Sequence, residues 1–338
     1  MITKGLIGAG SVEKSNPKNI GEFQWGVDKT CKCTPFQESR MCALLSCRPR
    51  KESRTLLWTC TAKGTLYLVA KIGLQEAVYH LWNWCFDQKR TEFHAHRDRS
   101  RYSEAYKVVR FPESPDIPYG RVSVDIVESL CADLADPRNP LIEHPEDAIK
   151  VKVDGEKLYL SKKVLCGHSR FFDGLFNKDG KKKAGDSPEL PEIKLDEFVH
   201  FLGLFDGLLN EDTDLKEKAE DTYELPGIKL DEFIHFLGLL HGYDMTIDKN
   251  TIEFLLNLAD MYQCQSVLRR CEEFLRNVDN KEVPLAKKIR LADSFNLRRL
   301  LMEEVEKISI ADLKALPKGN LSRFTVESFM QKFNMHEP

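Results

Sequence analysis

Ile149-Lys-Val-Lys-Val-Asp-Gly-Glu-Lys-Leu-Tyr-Leu160 alternates apolar and polar residues on both sides of Asp154-Gly155, a strong short-range signal for a hairpin. Immediately after it the period lengthens from two to about 3.6. Ser161 is placed to cap a helix carrying Val164 and Leu165, and Ser169 to cap a second carrying Phe172, Leu175 and Phe176. Farther on, Ile252, Leu255, Leu256 and Ala259 fall at i, i+3, i+4 and i+7, and Leu268, Cys271, Phe274 and Leu275 form a second such stripe. From Val283 to Ile308 another pair of helices follows, with Leu285, Ile289 and Ala292 on the first and Leu300, Leu301 and Val305 on the second. A hairpin followed by helices makes this half an α+β domain.

Upstream, Asp136-Pro-Arg-Asn-Pro140 and His144-Pro145 form a polar, Pro-rich junction, which marks a domain boundary. Ahead of it, from Glu22 to Ser129, the runs Ser39 to Ser46, Thr55 to Ala62, Thr65 to Ala70, Ala77 to Phe86, Tyr106 to Phe111 and Arg121 to Val127 read as short strands. Breakers such as Arg48-Pro49-Arg50, Lys63-Gly64 and Pro112 to Pro115 separate them, at spacings typical of a β-sandwich. Trp82 and Trp84 share one face of their strand and supply large apolar area. The organisation expected is therefore a disordered segment over 1–19, an antiparallel β-sandwich over 20–140, the α+β domain over 145–275, and a helical extension over 281–335.

The 338 residues are enough for two or three domains with cores of their own. Fifty basic and 53 acidic side chains nearly cancel, with 22 against 19 in residues 1–150 and 28 against 34 in 151–338. Such balance makes neither nucleic acid nor a membrane surface the default partner. No apolar run approaches the ~18 residues of a membrane span, and the N-terminal apolar stretch is too short for a signal peptide. Among the ten cysteines there is no Cys-x-x-Cys, and Cys60, Cys85, Cys131, Cys166, Cys264 and Cys271 sit singly in apolar segments. Reduced thiols in an intracellular protein, of cytoplasm or nucleus, are the expectation.

One repeat stands out. Leu190-Pro-Glu-Ile-Lys-Leu-Asp-Glu-Phe-Val-His-Phe-Leu-Gly-Leu204 recurs as Leu225-Pro-Gly-Ile-Lys-Leu-Asp-Glu-Phe-Ile-His-Phe-Leu-Gly-Leu239, 35 residues later and identical at 13 of 15 positions. Gly174-Leu-Phe-Asn-Lys-Asp179 matches Gly207-Leu-Leu-Asn-Glu-Asp212, so the units are about 174–206 and 207–241. Two copies are too few for a solenoid, which points to a duplicated element within one domain. Each copy reads as a short strand around Ile193 or Ile228 followed by an amphipathic helix bearing Phe198 or Phe233. One domain has room for one such unit. The connector Glu211 to Glu224, with seven acids and two lysines, reads as solvated.

The stretch Val151 to Phe176 resembles the opening hairpin and first two helices of a BTB/POZ domain. Asn257-Leu-Ala-Asp-Met-Tyr-Gln263 with Val267 and Cys271-Glu-Glu-Phe-Leu275 is similar to that family's closing helices. The duplicated unit corresponds to the family's third strand and third helix, and the second copy, which runs straight into Asp248 and the Ile252 helix, is expected to hold the native position. Where the family usually has His-Lys before Val-Leu, this chain has Ser161-Lys162. Residues 20–140 resemble a divergent MATH (TRAF-like) sandwich, on the strand count, Trp25 and Trp58-Thr-Cys-Thr-Ala62. The helices after 281 resemble the extension that follows many BTB domains.

The resemblance implies a protein-binding module that forms homodimers, with Asp154 near the dimer contact and Ser161 and Lys162 among the interface residues. It further implies a substrate receptor of a cullin-based ubiquitin ligase, in which the sandwich holds an unidentified protein substrate. The stretch Leu237 to Asp244, with Leu237, Leu240, His241, Tyr243 and Asp244, would face the cullin, although Leu240-His-Gly242 lacks the Glu of the family's usual motif. The alternative is a self-assembling scaffold, transcriptional or cytoskeletal, that binds no cullin.

Other candidate chemistry has simpler readings. Asp154 is also ordinary turn chemistry. His94-x-His96 and Cys31-x-Cys33 are two pairs without a second zinc spacing. His200 and His235 occupy equivalent repeat positions because copying a segment copies its histidine, and they read as helix-surface or core residues. Lys181 to Lys183 and Arg97 to Arg101 read as solvated loops. Asp196-Glu197 and Asp231-Glu232 begin the duplicated helices, where acids meet the helix dipole favourably. No catalytic motif, phosphate loop, metal or cofactor is indicated, and an enzyme is the weakest of the readings.

Overall fold

The computed structural model describes residues 3–9, 16–28, 42–71, 74–96, 106–110, 120–177, 222–309 and 321–334. Most of the first repeat copy, from 178 on, therefore lies outside the described residues, with His200 and Lys181 to Lys183. So do Cys31, Cys33, Arg97 to Arg101 and the side chains of His94 and His96.

The N-terminal half forms two antiparallel sheets. One has the order β1 (Thr3–Ala9), β9 (Gly120–Asp133), β5 (Leu56–Lys71), β6 (Leu74–Asp87), β8 (Tyr106–Arg110). The other runs β2 (Lys18–Ile20), β3 (Phe23–Asp28), β4 (Cys42–Pro49), β7 (Glu92–His96). Between them lies an aromatic core, with the rings of Trp25 and Phe86 5.3 Å apart edge to face and Trp82 6.3 Å from Trp25. Residues 3–9 correct the expectation of a disordered N-terminus: β1 pairs with β9 from Thr3 opposite Ile126 to Ala9 opposite Gly120, and its Ile7 is buried in the core. Edge strands this short carry too few apolar residues to announce themselves.

A second correction concerns Lys63-Gly64. It does not break a strand but lies inside β5, which runs unbroken through both expected segments. A side chain at Gly64 would place its Cβ 1.8 Å from the Ser123 carbonyl oxygen of β9. The glycine therefore permits a close backbone approach within the sheet. The same strand pair carries a bulge opposite Thr61 and Ala62. Val122, Val124 and Ile126 before it face the sandwich core, whereas Leu130 beyond it packs against the C-terminal core. An extra residue on one strand reverses which face later side chains take.

In the C-terminal half, β10 (Ala148–Val153) and β11 (Glu156–Ser161) form the expected hairpin. Asp154 and Gly155 both take positive φ, 49° and 80°, as the tight hairpin turn requires. Ser161 accepts a hydrogen bond from Val164 N at 3.2 Å and caps α1 (Lys162–His168). Ser169 likewise accepts from Phe172 N and caps α2 (Arg170–Phe176). Parallel to β10, on its other side, lies β12 (Thr222–Leu225), which leads into α3 (Leu230–Leu240). Both belong to the second copy of the repeat, which thus takes the place expected of it.

Next come α4 (Ile252–Met261), α5 (Gln265–Asn277), α6 (Leu285–Ser294), α7 (Arg298–Lys307) and α8 (Arg323–Asn334). Tyr262 sits at the centre of this core, its ring within 4.7–6.1 Å of those of Phe171, Phe172, Phe233 and Phe236. The extension is tied on by lysines at helix ends. Lys288 Nζ donates to the Val278 carbonyl just past α5, and Lys332 Nζ donates to three carbonyls, Val305, Glu306 and Ile308, at the end of α7. Cations there satisfy orphan carbonyls and complement the helix dipole. The seven cysteines whose side chains are described are free thiols, and burial pushes those of Cys264 and Cys271 up to about 12. No described helix is long and apolar enough to cross a membrane.

Candidate protein-interaction face

α3 determines how the two halves meet. Nine of its eleven residues are buried, and a helix that is apolar nearly all round must be covered on every side. The hairpin and the helices α1, α4 and α5 supply one side. The outer face of the five-stranded sheet supplies the other, through Leu57 of β5 and Leu134 just beyond β9, which belong to the C-terminal core. Leu56, Trp58, Cys60 and Ala62 meanwhile fill the sandwich core. The start of β5 is thus buried on both faces, which explains its near-continuous apolar run.

Polar groups fix the position of this contact. Asp87, at the end of β6, is completely buried. One of its carboxylate oxygens accepts from the backbone N–H groups of Lys89 and Arg90, at 2.7 and 2.9 Å. The other accepts from Thr246 N and Thr246 Oγ1, both at 2.6 Å, across the junction. Four donors on one carboxylate compensate its desolvation. Beside it the Cys85 thiol donates to the Asp244 carbonyl at 3.0 Å, and Lys89 Nζ pairs with Asp231 at 2.6 Å. His235 lies within the same cluster, its Nε2 2.7 Å from the Thr246 carbonyl and its Nδ1 buried without a partner. Burial lowers the pKa of His235, so the neutral ring donates through Nε2–H.

The linker is part of the contact rather than a hinge. Tyr159 N donates to the Leu134 carbonyl at 2.7 Å, and Asn139 Nδ2 donates to the Tyr159 carbonyl at 3.0 Å. These bonds cover the outer edge of β11, an edge that would otherwise offer unpaired backbone groups. Arg54, in the loop before β5, forks to Asp154 and Glu156 at 3.0 and 3.1 Å.

The residues singled out in the sequence fall into three groups. Asp154 is engaged by Arg54 of the sandwich. Ser161 and Lys162 are internal fasteners: Ser161 also donates to Asp147, and Lys162 Nζ donates to the Phe176 carbonyl at 3.1 Å. Leu237 and Leu240 point into the core, only 1% and 2% exposed. Of the same stretch, His241 is half-buried and stacked on Tyr243 with ring centres 6.4 Å apart, and the Asp244 side chain is exposed. Burial, followed by the neighbouring charge of His168, lowers His241 to about 4. Half-exposed Val164, Leu175 and Phe176 along α1 and α2 add an apolar strip on the domain's surface.

Sequence reading missed Asp87, Thr246, Arg54 and Cys85. An Asp in a turn and a Thr in a loop are commonplace, and Asp87 and Thr246 are 159 positions apart. Among the described residues no group of three or more His, Cys, Asp and Glu is placed to hold a metal.

A comparison with curated proteins finds no match. The sandwich's likeness to MATH domains has no family match behind it. The family model of the BTB/POZ domain, a protein–protein interaction module, matches the chain over residues 147–205 and again over 203–279, so the α+β region built around α3 carries this domain.

Proposed function

We propose that this chain is an adaptor that brings two proteins together: it self-associates through its BTB/POZ region and presents a protein substrate on the MATH-like sandwich to a cullin-based ubiquitin ligase. The observation that carries this reading is the junction at Asp87. A sandwich fastened to α3 and to the loop after it holds whatever it binds at a set distance from whatever the BTB/POZ region binds. Such fixed geometry is what an adaptor contributes, since it raises the effective concentration of one partner at the other. His241, Tyr243 and the exposed Asp244 side chain would form the accessible part of the cullin-facing stretch. The reading assigns the chain no catalytic step and places it in the cytoplasm or nucleus.

The test is to mix the purified full chain with a cullin N-terminal domain and follow binding by calorimetry, with light scattering for the mass of the chain alone. A dimer that binds the cullin at micromolar concentration supports the reading; no binding at tens of micromolar sinks the ligase role. A second reading, a self-assembling scaffold without cullin, is favoured by a different observation. Leu237 and Leu240 are committed to the core, and the backbone of the following loop is taken up by Cys85 and Asp87 of the sandwich.

A further inference from the structure

The position filled by β12 and α3 makes demands of its occupant that go beyond apolarity. Asp231 meets Lys89, His235 Nε2 meets the Thr246 carbonyl, and Gly238 passes so close to Met245 that a Cβ there would lie 2.7 Å from its side chain. Shifted by 35 residues, the first copy offers Asp196, His200 and Gly203 at these three positions. It also offers Leu195, Phe198, Phe201 and Leu202 where the second copy buries Leu230, Phe233, Phe236 and Leu237. A charge partner, a hydrogen-bond donor, a close-approach glycine and the core residues are all repeated.

Three of the five differences between 187–205 and 222–240 favour the second copy. Gly227 adopts φ +74°, which Glu192 would take at a cost. Val199 is one methylene shorter than Ile234. Pro188 stands where the Tyr223 ring packs edge-on 4.7 Å from that of Phe176. At roughly a factor of ten each, these give the second copy an advantage on the order of a thousandfold. Exchanging the copies only moves slack from the connection before β12 to the one after α3, and loop closure depends weakly on length. The family model matches both copies: one match runs from the hairpin into the first copy, and the other runs from 203 through the second copy to the closing helices.

We infer that this position has two interchangeable occupants within one chain: the second copy holds it, and the first, over about 187–205, takes it when the second is displaced. The consequence is a domain that keeps its fold while releasing 222–240, so that an interaction made by one copy need not cost the chain its core. This inference stands apart from the adaptor reading, since its test involves neither cullin nor substrate.

Three full-length variants test it: Phe198→Asp, Phe233→Asp and the double variant, followed by thermal unfolding and by hydrogen exchange with mass spectrometry. Val199 against Ile234 and Glu192 against Gly227 distinguish the two copies by mass. Phe198→Asp is expected to leave the Tm within ~2 °C. Phe233→Asp is expected to lower it while the domain still unfolds cooperatively, with strong amide protection moving from 230–240 to 195–205. The double variant loses the C-terminal transition. The inference is overturned if Phe233→Asp alone loses that transition, if 195–205 gains no protection, or if Phe198→Asp lowers the Tm as much as Phe233→Asp. Rescue of Phe233→Asp only in a particle of twice the wild-type mass would also overturn it, because the occupant would then come from another chain.

Discussion

The two faces of the five-stranded sheet solve one problem, burial, in opposite ways. Its inner face meets the second sheet through the aromatic surface of Trp25, Trp58, Trp82 and Phe86. Its outer face meets α3 through Leu57 and Leu134, but is pinned by a buried carboxylate, a thiol donor and ion pairs. Apolar contact is non-directional and holds the sheets together at whatever angle packs best. Hydrogen bonds to a desolvated carboxylate tolerate little displacement, because a lost partner leaves a buried polar group exposed to no solvent. The inner face therefore supplies stability to the sandwich, whereas the outer one sets the orientation of the two domains.

The largest effect should come from the inner face. Trp25→Ala removes a fully buried ring and is expected to cost ~3–5 kcal/mol, read as a lower urea midpoint for the sandwich. A cost below ~1 kcal/mol would mean that aromatic packing does not hold the sheets together.

Asp87→Ala should follow, at ~2–4 kcal/mol, since it strands Thr246 N–H and hydroxyl and two turn N–H groups. Its distinguishing sign is loss of protection at Thr246 in hydrogen exchange while the amides of α4 and α5 stay protected. Loss of protection throughout the C-terminal domain would instead make Asp87 a general stability residue. Asp87→Asn should recover only part of the loss, because an amide nitrogen would face donors.

Acid should weaken the outer face next. His235 is shifted down by burial; Asp87, the Thr246 hydrogen bond and Asp248 oppose that shift, and Lys89 adds to it. His241 is lowered to about 4 by burial and by His168. Both rings are therefore neutral when folded and protonate more readily when unfolded, near the ordinary 6.5. Their contribution is complete above about pH 6.5 and is lost as the pH falls from there toward 4, by up to ~3 kcal/mol for His241. Replacing both by Gln should flatten the stability profile in that window. An unchanged slope would show that carboxylates elsewhere control it.

The smallest effect belongs to Arg54→Ala. Its side chain and those of Asp154 and Glu156 are 66%, 50% and 39% exposed, and exposed pairs contribute about 0–1 kcal/mol. Equilibrium unfolding should change by less than ~1 kcal/mol, and what remains should disappear in 0.5 M salt. A larger loss would mean that the domain orientation rests on this fork as well as on Asp87.

What could be read from the sequence differs between the halves for physical reasons. Ser161, Ser169 and Asp154-Gly155 act within a few residues of themselves, through caps and a turn, so their roles were legible and the structure repeats them. The strands of the sandwich were legible where they are long and apolar, as for Val122 to Ile126, and not where they are short, as for Lys18–Ile20. Gly64 was misread because glycine as a breaker and glycine as a close-approach residue look alike until the neighbouring strand is in place. Of the interaction residues, Leu237 and Leu240 were assigned to a surface although their helix is buried on nearly all sides. A mean stripe of apolarity reveals that a helix is covered, but not by which partner.

By itself, then, the sequence determined the hairpin, the caps, the periodic helices and the near-identity of the two repeat copies, since each is set by residues close together in the chain. Only the tertiary structure decided how the second copy is pinned in its place, that the N-terminal segment closes a sheet edge, and that Asp87 meets Thr246. Those outcomes depend on competition between distant segments for the same buried volume and the same hydrogen-bond donors, a competition that exists only once the chain has folded.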